Sequence, residues 1–137
     1  MKFTNYLKDD HILILRILVS LIFITAASYR IVFFSSGVKE LMPLGYNLYI
    51  IYVMVCIIII LEMICGICIL IKEYFKIAVL SLVMLMVYAI ASTIIVCPVC
   101  IISNIAELFV FNPTPTDVWL HFLYLTILIT FLIHYKN

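Results

Sequence analysis

The sequence predicts an all-α fold: a four-helix transmembrane bundle with a short interfacial helix between helices three and four. Three observations carry this expectation. Hydrophobic residues make up 68% of the 137 residues and charged residues 11%, whereas soluble domains average about 45–50% apolar and about 25% charged. The apolar residues gather in four runs of near membrane-spanning length, and the Lys and Arg residues are divided unevenly among the segments between them. The mean hydropathy is +1.35. A soluble domain of this size leaves much of its surface in water and cannot hide so much apolar side chain. This excludes a soluble globular domain, a disordered chain and a disulfide-dense mini-protein. The net charge of +1, without a basic stripe, also gives no basis for a nucleic-acid partner.

The four runs are Ile12–Phe34, Leu48–Ile71, Ile77–Val96 and Val118–Tyr135. Each is close to the roughly 20 residues that a helix needs to cross a hydrocarbon core. Backbone groups in lipid must be satisfied internally, so the runs are expected as helices. Their many Ile and Val residues do not argue for strands, because the runs are too long and do not alternate as barrel strands do. The first run carries Arg16 and Arg30. It is too long and too polar for a signal peptide and is expected to be retained.

Residues 35–47 are read as a loop, and Lys72–Lys76 as a tight turn. After Cys100 the chain reads IISNIAELFVF, with Ser103, Asn104 and Glu107 on one helical face. That pattern predicts an interfacial helix over about 99–111. Pro113 and Pro115 then stop it, and Thr116 or Asp117 caps helix four. The whole chain, 1–137, is read as one integral membrane domain in contact with the lipid bilayer.

Lys and Arg set the orientation. With four spans, Lys2, Lys8, Arg16, Lys72, Lys76 and Lys136 share one side, and only Arg30 and Lys39 lie on the other. Both termini are therefore expected in the cytoplasm, in a bacterial inner membrane. The segment from Cys97 to Asp117 carries no Lys or Arg. Trp119, Tyr46 and Tyr49 fall where an outer aromatic belt would lie, and Tyr74 and Tyr135 near the inner one.

Chemistry-bearing residues are few. Cysteines occur at 56, 65, 68, 97 and 100, with two CxxC spacings, CGIC and CPVC. The pairs do not converge on one metal. Helix two runs inward, which puts Cys65 roughly 25 Å deeper than the end holding Cys97. Cys65, Gly66 and Cys68 read as small residues that let helices approach closely, and Cys56 has no assigned role. Cys97 and Cys100 lie at the extracytoplasmic face, where disulfides form and persist. A thiolate at the start of the interfacial helix is stabilised there, and Pro98 suits a first helical turn. His121, just inside the same boundary, is a candidate proton donor to that thiolate. A redox pair, a static disulfide and inert thiols are the three readings of this motif.

Glu62 lies near the middle of helix two, and an intramembrane carboxylate is a functional candidate by default. Arg16 is its expected structural partner, reaching inward from the cytoplasmic end. Arg30 is expected to act as an interfacial anchor.

Helix one reads LRILVSLIFITAASYRI, helix two runs through LEMICGICILI, and CPVC follows helix three. In these features the chain resembles the MauE/DoxX family of redox-associated membrane proteins. Members have four helices, an Arg opening helix one, a Glu followed by Gly in helix two, and often cysteines after helix three. Arg16, Glu62, Gly66, Cys97 and Cys100 match those places, although the motif in the MauE branch is closer to Cys-Gly-Cys-Phe-Gly. The resemblance implies a role with a periplasmic thioredoxin-like protein in disulfide formation or maturation of exported proteins. Vitamin K epoxide reductase relatives, which use a quinone, fit less well, because they carry a second cysteine pair in the loop occupied here by residues 35–47.

Three functions follow as expectations. The first is thiol–disulfide exchange by Cys97 and Cys100, with a thioredoxin-like partner or a quinone as electron carrier. The second is a non-catalytic accessory subunit of a larger membrane complex. The third is a small transporter that uses Glu62.

Overall fold

The computed structural model describes residues 3–71, 74–98 and 118–134. Among them all regular elements are helical. They are α1 (Phe3–Val32), α2 (Phe34–Leu41), a 3-10 turn (Met42–Leu44), α3 (Leu48–Ile71), α4 (Phe75–Val96) and α5 (Val118–His134). Three stretches are long and apolar enough to cross a membrane: Ile12–Val32 within α1, all of α3 and all of α4. The apolar stretch Trp119–His134 in α5 is shorter. The expected interfacial helix over about 99–111, with Cys100, lies outside the described residues, as do Pro113, Pro115, Thr116 and Asp117.

Two hydrogen bonds set the register of α1 against α3. The Ser20 hydroxyl donates to the Gly66 carbonyl at 2.6 Å, and Arg16 Nη2 donates to the Leu70 carbonyl at 3.1 Å. Ser20 is thus opposite Gly66 and Arg16 opposite Leu70, so the two helices are antiparallel. The approach at Gly66 is close because glycine has no side chain there. A Cβ would lie 2.9 Å from Ile24 Cγ1 and 3.3 Å from the Ser20 carbonyl oxygen. This is the small-residue packing by which membrane helices associate.

The chain reverses between α3 and α4 with Tyr74 in the left-handed region at φ 51°. The helices α4 and α5 pack against each other, and Phe75 near the start of α4 meets Phe131 near the end of α5, ring centroids 5.8 Å apart. Phe23 of α1 reaches Tyr124 of α5 at 6.1 Å. The main core, drawn from all four long helices, includes Val19, Phe23, Cys65, Ile69, Leu82, Leu128 and Phe131. It occupies the half of the bundle nearer the α3–α4 turn.

The other half is built differently, and here the reading of 35–47 as a plain loop is corrected. The helix α1 stops at Val32, and the chain leaves helical geometry at Phe33, with φ −111° and ψ 56°. Residues 34–41 then form α2. Phe34, Val38 and Leu41 recur at helical spacing and pack on Ile51, Val55 and Ile59 of α3. Gly37 permits this contact, since a Cβ there would lie 3.1 Å from Val55 Cγ1. The 3-10 turn ends at Gly45, whose φ of 75° suits glycine. Asn47 Oδ1 then accepts from the Tyr49 backbone N–H at 3.1 Å, satisfying a free donor at the start of α3.

Candidate functional site

Glu62 is on the buried face of α3, and its side chain is 5% exposed. It lies roughly 21 Å along the helix from Leu48 and roughly 14 Å from Ile71. Its partner is Arg30, which corrects the expectation of Arg16. Arg30 Nη1 donates to both carboxylate oxygens of Glu62, at 2.9 and 2.7 Å. Arg30 Nη2 donates to Glu40 Oε2 at 3.3 Å. Arg30 is therefore the hub of an Arg–Glu–Glu cluster, in contrast to the interfacial anchor read from the sequence.

The choice of Arg30 over Arg16 has a simple cause. The register places Glu62 opposite Ile24, so the two arginines lie at comparable distances along α1, roughly 9 Å for Arg30 and roughly 12 Å for Arg16. Helical side chains lean toward the N-terminus. That lean carries the Arg30 side chain back along α1 toward Glu62 and carries the Arg16 side chain away from it. Arg16 instead caps the last turn of α3 through Leu70, where a cation also meets the negative end of the helix.

Two cavities share the cluster as a common wall. Arg30, Glu40, Glu62, Met86 and His121 line both. The smaller, about 90 Å³, extends along α4 past Tyr88, Ser92 and Thr93. The larger, about 420 Å³, lies between α1 and α5 and is walled by Phe23, Tyr29, Leu120 and Tyr124 among others. Ser92 and Thr93 both donate back to the Ala89 carbonyl. The Tyr88 hydroxyl oxygen is buried and has no hydrogen-bond partner among the described residues.

No family model, curated protein or solved structure matches this chain.

The residues singled out from the sequence thus separate into three places. Arg30, Glu62 and His121 come together around the cavities. Arg16 is near the other end of the apolar stretch Ile12–Val32 of α1. Cys97 follows the last turn of α4, its backbone N–H donating to the Thr93 carbonyl at 2.9 Å; it does not line either cavity, and its sulfur is in a disulfide. Cys56, Cys65 and Cys68 are free thiols. Among the described residues no group of three or more His, Cys, Asp and Glu side chains is arranged to hold a metal ion.

Two site residues were missed in the sequence. Glu40 escapes notice when 35–47 is read as a loop. The apolar spacing of Phe34, Val38 and Leu41 was the available signal, because a helix with that face on α3 brings Glu40 to Arg30. Tyr88 carries no such signal in an apolar run, where a tyrosine reads as packing.

Proposed function

We propose that this chain is a small four-span membrane protein of the MauE/DoxX type that takes part in thiol–disulfide exchange at the extracytoplasmic face. Cys97 and Cys100 form the exchanging pair. The observation that carries the reading is the state of the cysteines: Cys97, at the end of α4, is disulfide-bonded, while Cys56, Cys65 and Cys68 within α3 are free. The six Lys and Arg residues assigned to the opposite side support an extracytoplasmic position for this end of α4, with both termini cytoplasmic in a bacterial inner membrane.

In the exchange, one thiolate of the reduced pair attacks a sulfur of the partner's disulfide. A mixed disulfide forms and a partner thiolate leaves. The second cysteine then attacks the mixed bond, closing the Cys97–Cys100 disulfide and releasing the partner's other thiolate. Two electrons pass to the partner, and the reverse sequence oxidises it. A thioredoxin-like protein is the preferred partner, with a quinone as the other candidate electron carrier.

The test is alkylation in native membranes with a membrane-impermeant maleimide, before and after titration with a thiol buffer. The expected result is a reversible couple more oxidising than the roughly −300 mV below which structural disulfides fall. Cys100→Ser should also trap a partner as a mixed disulfide on Cys97. A pair that stays bonded throughout the titration refutes exchange and makes the bond a structural staple of an accessory subunit.

A further inference from the structure

The helix α5 is fixed at one end and loosely packed at the other. Toward its C-terminus, Leu128 and Phe131 are buried in the main core, and Phe131 meets Phe75 of α4. At its N-terminus, Trp119, Leu120 and His121 are only half-buried. Leu120 and His121 line the larger cavity, about 420 Å³, which lies between this end of α5 and α1. One turn further in, Tyr124 reaches Phe23 of α1. Between the two ends, the Thr126 hydroxyl donates to the Phe122 carbonyl at 2.9 Å, a back-bond of the kind that bends helices. The outer end of α5 therefore has room to tilt toward α1 while its inner end stays anchored.

The same cavity is lined by Arg30, Glu40 and Glu62, and the charge count depends on His121. With a neutral imidazole, one guanidinium serves two carboxylates. With an imidazolium, two cations face two anions and the group balances. The hydrogen bonds show which carboxylate has capacity left. Arg30 Nη1 holds both oxygens of Glu62, at 2.9 and 2.7 Å. Glu40 is held through Oε2 alone, at 3.3 Å, and its Oε1 accepts no bond among the described residues.

We propose that His121 and Glu40 form a latch worked by pH. The protonated imidazole is drawn to Glu40, the outer end of α5 closes on α1, and the larger cavity shuts. The neutral imidazole releases Glu40, and the cavity opens. Histidine is the side chain that changes charge between about pH 5 and 8, and charges attract far more strongly across an apolar gap than in water. Tyr29 of α1, Tyr88 of α4 and Tyr124 of α5 line these cavities with His121 as well, and phenol groups carry no charge in that range.

This inference does not rest on the thiol–disulfide reading, and its test reads a distance and not an exchange reaction. Nitroxides are attached to p-acetylphenylalanine at Ile31 of α1 and Leu123 of α5, both exposed, which leaves the cysteines untouched. The label-to-label distance is measured by pulsed electron paramagnetic resonance on the full-length protein in phosphatidylcholine nanodiscs. It should be shorter at about pH 5 than at about pH 8, by about 1–2 Å or more, the scale of helix shifts in switching proteins. His121→Gln and Glu40→Gln should each remain at the longer distance at both pH values. His121→Lys, charged throughout this range, should hold the shorter distance at both. No pH-dependent change in the unsubstituted chain overturns the proposal. A change that persists in His121→Gln or Glu40→Gln also overturns it, since another group is then responsible. Should both of those variants fail to fold, as judged by loss of helical circular dichroism, His121→Lys decides: the longer distance at about pH 8 in that variant overturns the latch.

Discussion

The two halves of the bundle meet the same requirement, holding α1 against α3, in opposite ways. Near the α3–α4 turn, α1 closes on α3 through Gly66, with Ser20 bonded to its carbonyl and apolar side chains from all four long helices filling the space. Near α2, the link is an ion pair, and the volume beside it is empty enough to form cavities. Close packing leaves no room for a ligand. A charged strut keeps two helices together while leaving space beside it, and so function is more readily placed in the half that is held by charges.

Breaking the strut should have the largest effect. Arg30→Met leaves Glu62 and Glu40 without their cation in an apolar setting, and removing one partner of a buried pair costs about 3–5 kcal/mol. The measurement is unfolding in mixed micelles titrated with a denaturing detergent. Combining Arg30→Met with Glu62→Leu should recover much of the loss, since no buried charge is then left alone at that contact. A double variant as unstable as the single one would mean that the pair is not what holds this half.

Filling the tight contact should come next. Gly66→Ala places a methyl group 2.9 Å from Ile24 Cγ1 and 3.3 Å from the Ser20 carbonyl oxygen. The backbone of α1 has to move, and overpacking of this kind costs about 1–3 kcal/mol. Because Ser20 and Arg30 are on the same helix, the displacement should also weaken the Arg30–Glu62 pair. Stability unchanged in Gly66→Ala would show that the two helices are less closely engaged than the 2.6 Å Ser20–Gly66 bond indicates.

The smallest effect is expected at Ser20→Ala. The Gly66 carbonyl keeps its own helical position, and interhelical hydrogen bonds in membranes average about 0.6 kcal/mol. A loss several times larger would place the specificity of the α1–α3 register in that hydroxyl and not in the glycine.

The long helices were legible in the sequence because apolar run length is a strong signal. The second run, Leu48–Ile71, coincides with α3 at both ends, and the third and fourth differ from α4 and α5 only at their ends. The candidate site was half legible. Glu62 stood out as a carboxylate in the middle of a span. Its partner did not follow from depth alone, because depth ignores the direction in which helical side chains lean, and that direction favours Arg30. The helix α2 was lost for a different reason. Eight residues containing Gly37 and two serines have weak helical propensity, and only the surface of α3 at Ile51, Val55 and Ile59 makes their apolar face worth burying. Glu40 was lost with it.

The pairing of Arg30 with Glu62 also bears on how the chain enters a bilayer. Carrying a single ionised side chain to the middle of a membrane costs about 2.5–3.5 kcal/mol. Synthesis proceeds from the N-terminus, so Arg30 precedes Glu62 out of the ribosome. As the second apolar segment arrives, its carboxylate meets a guanidinium already presented by the first. A helical hairpin that inserts with these two side chains already paired avoids exposing either charge to lipid by itself. The order in which the two residues occur along the chain is then as much a part of assembly as their contact is of the finished bundle.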